Sequence, residues 1–327
     1  MINILIIGRG SIGRQHKKNL EELSRELDIS VHQFKPENRG KSYLPDIKKA
    51  IRDKKINAVV ICNPTIFHLP AVEACLSAGA HVFVEKPISA RFDKAAFTRV
   101  KKISQRKKLI VMVGYDMRFN PWLKKIKELL EKKIIGNVWG SRIIAGQFLP
   151  SWRHGGDYRQ SYSSRRELGG GVLADLSHEL DYLTWFLPKK IARVTGRLLK
   201  SKRLEINTEA ICSFILEYRD GSVAQVHLDY LNAPYRRAAE LYGEKGTLIW
   251  DGNEKTLKLY TFKNRKGKNL AVKKLSQRQI LKEEMRHFLR CAKTGRSPVN
   301  NLANAEYLAK IMDKIRRSSV KKETINF

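Results

Sequence analysis

The first residues of the chain limit its fold more than any other feature. Ile2–Ile7 is a continuous apolar, β-branched run, as expected of a parallel strand that is buried on both faces. It leads directly into Gly8-Arg9-Gly10-Ser11-Ile12-Gly13, and residues 14–27 then repeat leucine at helical spacing. A GxGxxG pattern alone is common, but between a strand and a helix it is typical of a dinucleotide-binding Rossmann unit. Gly8 permits the tight turn, Gly10 lets the backbone approach a pyrophosphate, and Gly13 lets helix and strand pack closely.

Four more apolar runs extend this pattern, at residues 29–34, 58–62, 81–84 and 109–114. With helical segments between them, they predict a doubly wound parallel sheet. A chain of 327 residues is long for one compact core, which favours two domains. We place the boundary after residue 120, with an NAD(P)-binding Rossmann domain at 1–120 and a substrate-binding and oligomerisation domain at 121–327.

The end of the second strand indicates which nicotinamide cofactor is bound. NAD-selective sites carry Asp or Glu there, where it binds the adenosine ribose. This chain has Lys35, with Arg39 close behind it and Glu37 between them. Cations at this position favour the 2′-phosphate of NADP over NAD, although Lys35 could also be a solvated loop lysine.

The ends of the third and fourth strands supply further candidates, because strand ends of such a sheet face the ligand crevice. The third strand ends at Asn63-Pro64-Thr65, with His68 three residues later, and His68 could equally cap a helix or pack in the core. The fourth ends at Glu85-Lys86-Pro87, where the proline stops the ladder and fixes the approach of the lysine. The residues expected at the cofactor are Gly8, Gly10, Ser11, Ile12, Gly13, Lys35, Arg39, Asn63, Pro64, Thr65, His68, Glu85 and Lys86.

The second domain is predicted to be α+β, with an open, largely antiparallel sheet. Its strands are expected at 138–148, 192–199, 210–218, 222–230, 238–242 and 257–262, mostly without helices between them. Gly169-Gly170-Gly171 precedes most of them and is expected to open a helix. That helix would carry Asp175, His178 and Asp181 at intervals of three, hence on one side.

Taken together, these motifs resemble the glucose-fructose oxidoreductase, inositol dehydrogenase and MocA family over nearly the whole chain. The matching segments are the GxGxxG turn, Glu85-Lys86-Pro87, Arg118-Phe119-Asn120-Pro121, the glycine-rich helix with His178 and Asp181, and Glu244-Lys245-Gly246-Thr247-Leu248. The resemblance implies a homodimer or homotetramer, often formed through the open face of the second sheet. It also implies that Lys86 and His178 flank the substrate carbon that faces the nicotinamide. Many relatives have DxxxH, whereas Asp175 and His178 are three residues apart, so the geometry of this pair would differ.

Hydride transfer from a secondary alcohol needs a base for the hydroxyl proton. His178 is expected to be that base, with Lys86 stabilising the developing alkoxide and Asp175 orienting the imidazole. A single helix histidine is more often structural, and only its combination with Lys86 and a cofactor domain favours catalysis. The alternative function is a nucleotide-binding regulator of the same fold without turnover, which would not need to keep both residues.

A segment rich in aromatic residues and arginines runs from Trp152 to Arg166. Flat rings and forked donors suit an anionic or nucleotide-linked sugar, whereas the alternative is an ordinary surface loop. The residues expected at the substrate are Arg118, Asn120, Trp152, Arg153, Tyr158, Arg159, Tyr162, Arg165 and His178.

The chain is strongly basic, with 64 Lys and Arg against 32 Asp and Glu and a net charge of +32. Because these cations are spread through helical segments, we interpret them as a solvated surface that attracts anionic ligands rather than as a specific nucleic-acid site.

Four scattered cysteines without a CxxC pair predict neither disulfides nor a metal site. No apolar run reaches the roughly 20 residues of a membrane helix, and no secretory signal is recognised, so a cytoplasmic enzyme is expected.

Overall fold

The computed structural model of the chain describes residues 1–34, 43–152, 156–263 and 265–327. They form two compact units. The first unit contains Met1–Phe119 and Leu275–Ala309, and the second contains Asn120–Lys274 and Lys310–Phe327.

The sheet of the first unit has five parallel strands, each built from one of the apolar runs. They are β1 (Ile2–Ile7), β2 (Ile29–Gln33), β3 (Ala58–Ile61), β4 (His81–Glu85) and β5 (Val111–Gly114), in the order β2-β1-β3-β4-β5. Helices α1 (Ser11–Leu23), α2 (Leu44–Asp53), α3 (His68–Ala78) and α4 (Lys94–Lys107) connect them. The strand order reverses between β1 and β3, so the ligand crevice of this sheet lies at the carboxyl ends of those two strands. The predicted Rossmann-type sheet is confirmed.

The second unit is built on a sheet of nine strands that is antiparallel except where β6 pairs with β9. Its helices are α5 (Pro121–Glu131), α6 (Leu149–Trp152), α7 (Val172–Asp175) and α8 (Ser177–Phe186). Its strands are β6 (Val138–Gly146), β7 (Ile191–Leu199), β8 (Ile211–Tyr218), β9 (Val223–Asp229), β10 (Arg236–Gly243), β11 (Gly246–Asp251), β12 (Thr256–Thr261), β13 (Lys268–Asn269) and β14 (Ile325–Asn326). The predicted open, largely antiparallel sheet is confirmed, and β11, β13 and β14 are strands that the sequence did not predict.

The glycine-rich segment differs from the single helix expected of it. The chain leaves helical geometry at Leu176, which has φ −97° and ψ 29°, so α7 and α8 are separate. The predicted strand at 138–148 is also shorter than expected, because β6 ends at Gly146 and α6 begins at Leu149.

The C-terminal helices are α9 (Gln277–Thr294) and α10 (Leu302–Lys321). Although the sequence analysis assigned residues 275–309 to the second domain, they belong to the first unit in the structure. Met285 and Phe288 of α9 are fully buried in the same apolar cluster as Ile4 of β1 and Phe83 of β4. The amphipathic pattern of α9 predicts that it packs on a sheet but does not specify which one.

Candidate active site

The glycine turn after β1 is shaped to accept a dinucleotide. A Cβ on Gly8 would lie 2.5 Å from the carbonyl oxygen of Cys62, and one on Gly13 would lie 2.5 Å from that of Gly8. A Cβ on Gly10, in contrast, would have no atom within 4 Å. No side chain of the described residues caps the first turn of α1, which begins at Ser11. Open space at Gly10 beside uncapped backbone N–H groups fits the pyrophosphate of a nicotinamide dinucleotide.

His68 connects the ends of β3 and β4. It is 1% exposed, its Nδ1 lies 2.8 Å from the carbonyl oxygen of Pro87, and its Nε2 lies 2.7 Å from that of Asn63. Burial lowers the pKa of His68, whereas the two carbonyl acceptors favour the protonated ring. Asn63 also donates through Nδ2 to the Tyr43 hydroxyl at 2.7 Å. The buried His68 thus connects the loops that follow β3 and β4 at the crevice edge of the sheet.

Glu85 and Lys86 occupy different environments although they are adjacent. Glu85 Oε1 lies 2.7 Å from Nε2 of His16, which is fully buried on α1. Glu85 Oε2 accepts a hydrogen bond from the backbone N–H of Lys86 at 3.3 Å, and the Lys86–Pro87 peptide bond is cis. Lys86 itself is half-buried. Glu85 therefore ties β4 to α1, and Lys86 extends from the crevice end of the sheet.

In the second unit the glycine run makes close backbone contacts. A Cβ on Gly170 would lie 2.0 Å from the carbonyl oxygen of Tyr162, and one on Gly171 would lie 2.3 Å from Glu209 Oε1. Gly171 also has φ +114°, a conformation that favours glycine. These contacts fix the start of α7 and, through it, the position of Asp175.

Asp175 is buried, and the Tyr230 hydroxyl donates a hydrogen bond of 2.6 Å to its Oδ2. Tyr230 is fully buried, and its ring packs edge-on against Trp152 at a centroid distance of 6.2 Å. His178 follows three residues after Asp175, as the second residue of α8, and is half-buried. Sequence reasoning missed Tyr230, because it is the last residue of a predicted strand and belongs to no motif.

A cavity of about 250 Å³ lies beside this cluster, and Trp152, Leu176, Tyr235 and Arg237 are in its wall. Arg237 Nε lies 2.8 Å from Oε1 of Glu179, which is fully buried and follows His178 directly. Neither Arg237 nor Glu179 was predicted from the sequence, because their pairing joins a helix to a strand far along the chain.

The predicted arginines of the 152–166 segment largely bind partners within the protein. Arg159 Nε lies 2.8 Å from Asp157 Oδ1, and its Nη1 lies 3.1 Å from Glu205 Oε2. Arg165 donates to the side chain of Gln160. Three predicted site residues, Lys35, Arg39 and Arg153, lie outside the described residues.

Arg118 and Asn120 also have partners within the protein. Arg118 is 5% exposed and donates through Nη1 to the carbonyl oxygen of Val299 at 2.7 Å. Asn120 caps α5 by accepting from the backbone N–H of Trp122 at 2.9 Å. Arg118 thus joins two segments that are distant along the chain, and Asn120 fixes the start of α5.

The described part of the chain contains neither a candidate membrane helix nor a candidate metal-binding cluster. None of its helices is long and apolar enough to cross a membrane. Nor do its His, Cys, Asp and Glu side chains form a group of three or more that could hold a metal ion.

The chain was compared with known proteins. Residues 2–115 match the model of an oxidoreductase family with an NAD-binding Rossmann fold, and residues 123–249 match the model of the GFO/IDH/MocA C-terminal domain. Myo-inositol 2-dehydrogenase of Thermotoga maritima is 25% identical over 316 residues, covering 91% of this chain and 90% of that protein. The NAD(+)-dependent scyllo-inositol 2-dehydrogenase of Bacillus subtilis is 24% identical over 333 residues, covering 91% and 88%.

Solved structures share the fold. Levoglucosan dehydrogenase in complex with NADH and levoglucosan superposes with a TM-score of 0.84 at 17% identity, covering 99% of this chain and 98% of that one. An oxidoreductase domain protein from Kribbella flavida gives 0.84 at 17% identity, covering 100% and 99%. The two family models, which follow one another along the sequence, and the inositol dehydrogenase relatives agree with the glycine turn and the two sheets described above. The chain belongs to the GFO/IDH/MocA family of oxidoreductases and contains its NAD-binding Rossmann domain.

Proposed function

We propose that this oxidoreductase transfers a hydride between a nicotinamide and a secondary alcohol or ketone carbon of a sugar-like polyol. The observation that carries the proposal is the cluster in which Tyr230 holds the buried Asp175, three residues before the half-buried His178. The named functions of the relatives, dehydrogenation of inositols, support the same substrate class.

In this proposal the bound nicotinamide supplies or accepts the hydride, and residues of the chain do the rest. The turn at Gly10 and the first N–H groups of α1 hold the pyrophosphate. The imidazole of His178 takes the hydroxyl proton, and the carboxylate of Asp175 stabilises the resulting imidazolium. The ammonium of Lys86 donates to the same substrate oxygen and stabilises its negative charge.

We extend the proposal to two finer points. Lys35 and Arg39 follow the second strand, where an acidic residue would select NAD, and this supports a preference for NADP. The net charge of +32 and the Trp152–Arg166 segment support an anionic or nucleotide-linked sugar as the substrate. Because Arg159 is already held by Asp157 and Glu205, that segment supports the anionic group less strongly than its composition suggests.

Two further proposals concern the setting of the enzyme. The four cysteines are all buried and unbridged, which supports a reducing, cytoplasmic compartment. The face of the second sheet that carries Thr195, Ser213, Gln225 and His227 forms a groove, and we propose that a homodimer or homotetramer assembles through this face.

The experiment that tests the function is a screen of inositols, hexoses, sugar acids and nucleotide sugars for NAD(P)-dependent absorbance change. Substitution of Lys86 or His178 by Ala should then lower turnover by roughly 10²-fold or more while cofactor affinity persists. Lys94→Ala is the control for the Lys86 variant, because Lys94 is an exposed lysine of the same unit at the start of α4. Near-normal turnover in both the Lys86 and the His178 variant would refute the assignment.

A further inference from the structure

Two polar side chains, His16 and Glu85, pair at the carboxyl end of the first unit's sheet. Nε2 of His16 lies 2.7 Å from Oε1 of Glu85, and the two side chains are 0% and 13% exposed. Because a carboxylate oxygen accepts, Nε2 of His16 is the donor. The His16 ring also packs edge-on against Phe83, with the ring centroids 5.2 Å apart. The pair thus connects the second turn of α1 to the last residue of β4.

The second oxygen of this carboxylate holds the backbone of Lys86. Oε2 of Glu85 accepts a hydrogen bond from the Lys86 N–H at 3.3 Å. Gly114 lies opposite Glu85 on β5, and a Cβ there would lie 3.3 Å from Oε1. A glycine at this position therefore leaves room for the carboxylate between α1, β4 and β5. With both oxygens hydrogen-bonded, the carboxylate is held in one orientation.

The residue after Lys86 is anchored as well. The carbonyl oxygen of Pro87 lies 2.8 Å from Nδ1 of His68, which is 1% exposed and is the first residue of α3. Lys86 thus lies between two buried histidines on different helices, His16 on α1 and His68 on α3. Its backbone is held on both sides before any ligand binds.

Stability does not explain why a polar pair fills the site beneath α1. Burial of a carboxylate costs free energy that its partner offsets only in part, and replacing a buried pair with apolar residues is often neutral or stabilising. On the same helix, Leu20 and Leu23 are fully buried and fill their sites with apolar atoms. What His16 provides and a leucine would not is a donor to the carboxylate that holds Lys86.

Helix α1 connects this pair to the proposed cofactor site. The N–H groups of its first turn, which begins at Ser11, are proposed to hold the pyrophosphate. His16 lies about 7.5 Å further along the helix axis, a distance that the hydrogen bonds of the helix keep constant. Through Glu85, His16 therefore sets the backbone of Lys86 at a fixed position relative to the pyrophosphate site, and the nicotinamide is joined to that pyrophosphate through one ribose.

We propose that His16 is a positioning residue for Lys86. It acts through Glu85 to align the lysine with the cofactor site, and it therefore contributes to kcat rather than to the binding of cofactor or substrate. The inference rests on the proposed function for the role of Lys86 in the reaction.

The test begins with His16→Leu, which removes the donor to Glu85. The kcat for the fastest substrate of the screen should fall about tenfold or more. The KM for that substrate and the Kd for NADPH should change less than about threefold, because the fully buried His16 contacts neither. His16→Gln should restore kcat to within about threefold of the wild type, because its side-chain amide can donate to Glu85 in place of Nε2.

Two measurements test the route through Lys86. His16→Leu added to Lys86→Ala should lower kcat no more than about twofold further, because the group that His16 positions is absent. In the apo protein, the Lys86 amide should exchange its hydrogen about fivefold or more faster in His16→Leu, because Glu85 no longer holds it. Asn19→Leu is the matched control and should change neither quantity: Asn19 is fully buried on the same helix, but it accepts from Arg278.

His16→Leu alone leaves the Glu85 carboxylate without its buried donor, so the double variant His16→Leu/Glu85→Met is measured as well. It should keep or raise the free energy of unfolding, since both polar partners are gone, and yet lose kcat as the single variant does. An equal loss of kcat from His16→Leu with and without Lys86, or unchanged exchange of the Lys86 amide, would overturn the inference. Normal kcat in His16→Leu beside a large loss in Lys86→Ala would overturn the inference alone, whereas near-normal turnover of Lys86→Ala would refute the proposed function and the inference with it.

Discussion

The Tyr230 hydroxyl donates a hydrogen bond of 2.6 Å to Asp175 Oδ2, and both side chains are buried. Tyr230 follows β9, and Asp175 ends α7, so this bond connects the sheet to the helical segment that precedes His178. A carboxylate that is buried and hydrogen-bonded in this way is held in one orientation, three residues before the proposed base.

Substitution of Tyr230 by Phe should lower kcat about tenfold and leave the Kd for the cofactor unchanged. A hydrogen bond to a charged group contributes about 1.5–3 kcal/mol, so the free energy of unfolding should fall by a similar amount. Steady-state kinetics, cofactor titration and denaturant unfolding measure the three quantities. Tyr182→Phe is the control, because Tyr182 is also fully buried but its hydroxyl has no hydrogen-bond partner among the described residues. Equal loss of kcat in both variants would contradict a specific role for Tyr230.

The glycine turn allows stability to be separated from cofactor binding. Gly10→Ala should fold normally, because Gly10 has φ −66° and a Cβ there would meet no atom within 4 Å. Its methyl group would enter the space needed by the pyrophosphate, so the Kd for NAD(P)H should rise about tenfold or more. Gly13→Ala should instead lower the thermal midpoint, because its Cβ would lie 2.5 Å from the Gly8 carbonyl oxygen. Unchanged cofactor affinity in Gly10→Ala would show that the dinucleotide does not bind at this turn.

The cofactor preference can be tested through the segment after β2. We expect the wild-type enzyme to bind NADP(H) more tightly than NAD(H), and Lys35→Asp to reverse this order, because a carboxylate repels the 2′-phosphate and can bind the ribose. Dissociation constants of both cofactors for both proteins measure the effect. Lys48 is exposed on α2, and Lys48→Asp changes the net charge by the same amount as Lys35→Asp. This variant therefore controls for the effect of net charge on cofactor affinity. Tighter NAD(H) binding by the wild type would contradict the preference.

Stability should fall in mild acid because of His81. Burial lowers the pKa of His81 below the usual histidine value of 6.5, and its Nδ1 accepts a hydrogen bond from the backbone N–H of Ile110 at 3.0 Å, which requires an unprotonated Nδ1. Below pH 6.5 the unfolded chain binds a proton that the folded chain does not, so the free energy of unfolding decreases until the lowered pKa is reached. One proton limits the slope to about 1.4 kcal/mol per pH unit. Denaturant midpoints between pH 5 and 8 should show a weaker dependence in His81→Asn, whose Oδ1 can still accept from Ile110. If the free energy of unfolding depended equally on pH in both proteins, a group other than His81 would cause the loss of stability in acid.

Local patterns were sufficient to predict the first sheet. Each strand of a doubly wound sheet is an apolar run, and the GxGxxG turn marks where β1 ends and α1 begins. The family, its oxidoreductase chemistry and the two kinds of sheet were also predicted and are confirmed.

Features that depend on distant contacts were not predicted. The helix break at Leu176 follows the close contacts of Gly170 and Gly171 with Tyr162 and Glu209, none of which is visible in a helical periodicity. Glu179 and Arg237 are 58 residues apart in the sequence, and neither belongs to a recognisable motif. Their ion pair therefore could not be predicted from local sequence. Conversely, the arginines of the 152–166 segment were predicted to bind the substrate from composition alone. In the structure Arg159 forms ion pairs with Asp157 and Glu205.

The position of α9 has a consequence for how the chain folds as it is synthesised. The apolar cluster around β1 is completed by Ile280, Met285 and Phe288, which leave the ribosome long after residue 119. Residues 120–274 lie between these two parts of the first unit, and at about 5–20 residues per second their translation takes about 8–30 s. During that interval the nascent Rossmann sheet exposes the apolar surface that α9 later covers. A fragment ending at residue 120 would carry the same exposed surface permanently, so the cofactor-binding portion cannot be excised by a single cut.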